Sequence, residues 1–119
     1  MQRMAGKKDC SMSLADDSLY ELHASVCKAI AHPARLKVLD LLRGGEECVC
    51  RLAPQVGVTE TNLSQLLAVL RRAGVVESRR DGHQIFYRVR DKRIFKVMDY
   101  MRAILADQLS RADALALQV

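Results

Sequence analysis

A chain of 119 residues, half of them apolar and 28% charged, can bury one modest core but not two, and is too aliphatic to stay disordered. No apolar run approaches the roughly 20 residues that cross a bilayer, and no hydrophobic stretch follows the basic residues of "MQRMAGKKDCSMSLADD", so neither a membrane span nor a secretory leader is expected. The whole net charge of +5 lies between residues 71 and 93, where eight basic side chains (Arg71, Arg72, Arg79, Arg80, Arg88, Arg90, Lys92, Arg93) face only Glu77, Asp81 and Asp91.

Residues 1–15 lack periodicity and read as a flexible arm carrying Cys10. From Asp16 the pattern turns helical, with Leu19, Leu22, Val26 and Ile30 three and four apart. "AHPARLKVLDLLRGG" starts a second helix, Pro33 in its first turn, Leu36, Leu39 and Leu42 as its stripe and Gly44-Gly45 as its end. "CVCRLAPQVG" is a short helix stopped by Gly57, and Thr59 is a good N-cap for "ETNLSQLLAVLRRAG", which turns Leu63, Leu66, Leu67 and Leu70 inward. "VVESRRDGHQIFYRV" reads as two strands joined by Asp81-Gly82. A last helix spans about residues 91–109, with Ile94, Val97, Met98, Met101, Ile104, Leu105 and Leu109 along one face; the tail 111–119 extends it or frays.

Aromatics are only 4%, so an aliphatic core of helices packed on helices is expected. Two helices around a tight turn, followed by a basic hairpin, describe a winged helix-turn-helix, mainly α with a small β-hairpin, spanning residues 16–110. The helix over 59–72 leaves Thr61, Asn62, Ser64, Gln65 and Arg72 outward. Asn and Gln pair bidentately with adenine, and the N-terminal half of such a helix meets base edges. Arg79, Arg80 and His83 flank the hairpin tip, where a wing reaches phosphates or a minor groove. Taken singly, the polar helix face and the charged hairpin are ordinary solvated surfaces. Together they indicate double-stranded DNA as the partner.

"AIAHPARLKVLDLL", "ECVCRLA", "TETNLSQLLAVLRRAGVV" and "RRDGHQIFYRV", in that order and spacing, resemble the ArsR/SmtB family of bacterial repressors over about residues 19–109. The resemblance implies a homodimer held by its first and last helices, released from operator DNA by an inducer. It also implies a transcription regulator with no resident cofactor, and the expected lack of a membrane span and leader points to a cytoplasmic one. Relatives that sense arsenite, antimonite or soft divalent ions carry a Cys-Val-Cys that Cys48 and Cys50 match, although the further cysteine some of them have is Ala53 here. A third thiolate must come from elsewhere: Cys10 on the arm or, as the alternative, Cys27, four residues after His23. His32 reads as a helix cap. The family's other metal site, on the last helix, lacks its ligands: Asp91 matches the first, but Arg93 and Ile104 stand at later positions.

Thiolates are the donors that soft ions prefer. Two positions apart on a helix lie about 200° apart around its axis, so Cys48 and Cys50 share one ion only if that first turn is frayed, extended or distorted. Such a distortion is a plausible trigger, because the short helix supports the DNA-reading one. A redox or persulfide switch is the alternative, and there a Cys48–Cys50 bond reads as strained, favouring partners such as Cys10 and Cys48. A constitutive DNA binder with idle thiols is a further reading. No Ser/His/Asp set, carboxylate pair or phosphate-binding glycine loop can be assembled, which argues against an enzyme.

Overall fold

The computed structural model describes residues 17–118, so the N-terminal arm and Cys10 lie outside the described residues. The elements run α1 (Asp17–Ile30), α2 (Pro33–Leu41), β1 (Glu47–Cys48), α3 (Val49–Val56), α4 (Glu60–Arg72), β2 (Val76–Asp81), β3 (Gln84–Val89) and α5 (Arg93–Gln118). Four helices begin where a side chain accepts a backbone N–H that a helix start leaves unbonded. His32 Nδ1 accepts from Ala34 at 3.1 Å, Cys48 Sγ from Cys50 at 3.2 Å, Thr59 Oγ1 from Asn62 at 3.1 Å and Asp91 Oδ1 from Arg93 at 3.0 Å. His32 is thus the cap its sequence context suggests. At the far end of α3, Gly57 adopts φ +86°, a left-handed conformation that stops the helix where a side chain would be strained.

Asp91 yields a pH prediction. Its carboxylate accepts from the Arg93 side chain and from the Arg93 backbone, and these bonds hold its pKa down from 3.8 to about 2. A depressed carboxylate pKa stabilises the fold fully above the ordinary aspartate value, and that contribution is lost as pH falls toward 2. An NMR titration should therefore find the Asp91 carboxyl still ionised at pH 3. A midpoint near 4 would mean that Arg93 does not hold it.

The core gathers Val38, Leu39 and Leu42 from the α2 region, Leu52 and Ala53 from α3, and Leu63, Leu67 and Leu70 from α4, closed by Val75, Val76, Tyr87, Val89 and Met98. Each fully buried leucine contributes about 2 kcal/mol of transfer free energy. Leu36 and Leu66 pack at its edge, and Val38, outside the expected stripe, is fully buried. Because α3 and α4 share this core, a change in α3 is felt in the placement of α4.

Three sequence expectations need correction or completion. The sheet has three strands, in the order β1-β3-β2, because Glu47 and Cys48 pair with Tyr87 and Phe86. A two-residue strand carries no periodicity, and only the β3 edge creates it. The hairpin loop is Gly82–His83 rather than Asp81–Gly82: Asp81 pairs with Gln84, and Gly82 takes φ +63°. The last helix starts at Arg93 and continues to Gln118, so the tail extends it.

Candidate nucleic-acid interface and thiol pair

With its leucines sunk in the core, α4 presents Thr61, Asn62, Ser64, Gln65 and Arg72 to solvent. All five candidate reading residues therefore share the accessible side of one helix. The Thr59 cap bonds to the backbone of Asn62, which leaves the Asn62 side chain available for a base edge. On the wing, His83 stands in the loop itself and is exposed, as is Arg80.

Arg79 differs from Arg80. Successive residues of a strand point to opposite faces, and Arg79 points toward Glu46, donating Nε to Oε2 at 3.1 Å and Nη2 to Oε1 at 2.6 Å. Its guanidinium also lies 4.9 Å from the centroid of the Phe86 ring. The Arg79 hydrogen bonds lower the Glu46 pKa, and the same pair raises that of Arg79. Glu46 and Phe86 had no signal as site residues in the sequence, because their relation to Arg79 runs through strand register.

Alanine at Arg80 should weaken DNA binding on all sequences and reduce the slope of log affinity against log salt by about one, the value of one lost phosphate contact. Alanine at Arg79 should do less while the Cys48 and Cys50 sulfurs are joined, since Glu46 then partly neutralises its charge. Asn62→Ala or Gln65→Ala should instead relax preference at one base pair, at about 1–3 kcal/mol each. Binding selections from random duplexes would check this, and an unchanged base profile in both helix variants would show that α4 is not the reading surface.

Cys48 and Cys50 come together. Their sulfurs are joined, with the Cα atoms 5.2 Å apart. Inside a helix two such side chains would diverge. Cys48 instead stands at the N-cap with φ −77° and ψ 144°, an extended conformation that turns its side chain back over the first turn. Cys48 is buried at 4% exposure, whereas Cys50 is exposed. Pro54 lies inside α3 and has no N–H, so the carbonyl of Cys50 lacks its usual i+4 donor and the turn bearing this thiol is one bond short. Cys27 is exposed and free on α1. Among the described residues no three His, Cys, Asp or Glu side chains converge as a metal site.

The faces of α1 and α5 turned away from the core are apolar. Tyr20, Leu22, Val97, Tyr100, Met101, Ile104, Leu105 and Leu109 are all about half or more exposed. An apolar surface of that extent marks a protein interface. Behind it, Arg43 bonds Asp40 at 2.9 Å and Asp99 at 2.8 Å, and Arg102 bonds Asp40, bracing α5 against α2. No helix among the described residues is long and apolar enough to cross a membrane.

Residues 32–78 match the arsR family of bacterial regulatory proteins. The HTH-type transcriptional regulator Rv0081 of Mycobacterium tuberculosis is 42% identical over 98 residues, covering 82% of this chain and 86% of that protein. Its crystal structure is similar with a TM-score of 0.72, over 81% of this chain and 97% of that one. The solution structure of the homodimeric winged helix-turn-helix DNA-binding domain Mb0332 from Mycobacterium bovis is 30% identical, with a TM-score of 0.73 over 87% of this chain and 95% of that one. The biofilm growth-associated repressor of Xylella fastidiosa is 37% identical over 89 residues, covering 75% of this chain and 78% of that protein.

Proposed function

Because the chain belongs to the arsR family of bacterial regulatory proteins, we propose that it is a homodimeric repressor that leaves its operator when a thiophilic ligand engages Cys48 and Cys50. The family consists of transcription regulators, and the chain is not an enzyme. In the dimer, the apolar faces of α1 and α5 cover one another. Each α4 then enters a major groove, and each wing lies on the flanking backbone, over half-sites about one helical turn or more apart.

The observation that carries the sensor reading is the N-cap geometry that brings both sulfurs together at the start of α3. Arsenite or antimonite is the ligand class, with soft divalent ions next. Each of two thiols exchanges for a hydroxyl on As(OH)3, forming two S–As bonds and releasing two waters. Cys10 of the arm is the first choice for a third thiolate and Cys27 the second, from the same or the partner subunit. Ligation reshapes a first turn already short of one bond, and α3 carries the strain to α4 through the shared core. DNA affinity falls only to the extent that the ligand prefers the reshaped state.

Titrating the full chain with arsenite while following thiolate–arsenic absorption, with and without bound DNA, tests this reading. Absorption change and DNA release should saturate together. Ligation without release would overturn it, as would release without ligation. Repeating the titration across pH separates the ligand classes: arsenite exchange with protonated thiols is proton-neutral, whereas a divalent ion displaces protons and binds less well in acid.

The joined sulfurs favour a second reading, a redox switch in which two thiols pass two protons and two electrons to an oxidant and form the Cys48–Cys50 bond. It would be distinguished by release upon oxidation together with indifference to arsenite.

A further inference from the structure

The thiol pair has a second physical connection, and it leads to the wing. Cys48 is opposite Phe86 in the β1–β3 register, and Phe86 is opposite Arg79 in the β3–β2 register. Directly opposed residues of antiparallel strands point to the same face. Cys48, Phe86 and Arg79 therefore form one row across the sheet. The Arg79 guanidinium stacks on the middle member of that row and is held by both oxygens of Glu46, two residues before Cys48 on the same stretch of chain. One short segment, residues 46–50, thus carries both thiols, the strand that pairs with the wing and the carboxylate that occupies a wing arginine.

We propose that β1 is a relay from the thiols to the wing, and that Glu46 is its positioning residue: with the two sulfurs held together, Glu46 keeps Arg79 off the DNA backbone. This rests on the reading of Cys48 and Cys50 as the sensor. In the structure the sulfurs are joined and Arg79 is closed on Glu46. Separated sulfurs free the end of β1 to move, and a phosphate then competes with Glu46 for the same guanidinium. Phosphate is well matched to win, since Arg binds either group through the same two-pronged geometry. The relay adds to the α3–α4 route and differs from it in kind. It changes the number of phosphate contacts, whereas movement of α4 changes base reading.

The full-length chain, a duplex selected from a random pool and arsenite as the probe are sufficient for the test. Wild type should lose DNA affinity on arsenite addition by roughly 5- to 150-fold, the range of ordinary coupling. Glu46→Gln should bind arsenite with an unchanged absorption titration yet lose less than about a third of that factor. Its salt slope with arsenite present should be steeper than that of wild type by about one, for the regained Arg79 contact. Glu46→Asp, which keeps the carboxylate, should recover most of the wild-type response. A purely structural role for Glu46 would not move the salt slope. A responsive wild type with an equally responsive Glu46→Gln overturns the relay and leaves the sensor intact. A wild type whose affinity ignores arsenite overturns the sensor reading, and the relay with it.

Discussion

Met101→Asp or Ile104→Asp should sediment as a folded monomer and lose DNA binding. Both side chains are about half exposed on the single chain, at 54% and 51%, so a carboxylate there stays hydrated and the fold keeps its core. The cost appears only on association, when the α1–α5 faces close and the charge is buried without a partner. That penalty is about 3 kcal/mol per unpaired ion, and a two-fold seam incurs it twice. The dimer dissociation constant should rise by at least roughly two powers of ten. DNA binding falls with it, because one winged helix reaches only one half-site. Sedimentation velocity with circular dichroism separates this result from misfolding. A variant that stays dimeric and binds DNA as wild type would place the interface elsewhere.

Replacing Cys48 and Cys50 together by serine should leave DNA affinity within about twofold of wild type and abolish release by arsenite. The structure explains why folding survives. Cys48 is an N-cap, a position at which serine is among the best residues, and Cys50 is exposed. At exposed Cys50 such a change stays within about 0.5 kcal/mol, and at buried Cys48 a serine hydroxyl can accept the same Cys50 N–H that the sulfur does. The ligand chemistry does not survive, because a hydroxyl is a poor donor to a soft ion. Either single serine variant should show the same loss. Cys10→Ser should weaken the response if the arm completes the site, and Cys27→Ser should do so if α1 does. A double-serine chain released at the same arsenite concentration as wild type would sink the sensor reading.

Local rules alone were enough to place helices α1 to α5 and to read the caps at His32 and Thr59. Thr59, Gly57 and the leucines at 63, 67 and 70 act through neighbours within one turn, so their roles follow from spacing. The outward polar face of α4 and the basic hairpin were legible for the same reason, and so was the apolar face of α5. The properties that make a site of them depend on contacts distant in sequence. Residue 46 meets residue 79, residue 48 pairs with residue 86, and α5 is braced by Asp40 and Arg43 of the α2 region, and none of these contacts has a periodicity to betray it. The thiol pair shows both sides of the division. The residue types and the family resemblance implied a soft-ligand site, while helical geometry argued that the sulfurs should diverge. Only the folded chain resolved the conflict, because pairing with β3 holds Cys48 extended and starts α3 one residue later. A strand edge supplied by residues nearly forty positions away decided the conformation of one residue, and with it whether two cysteines can act as one site.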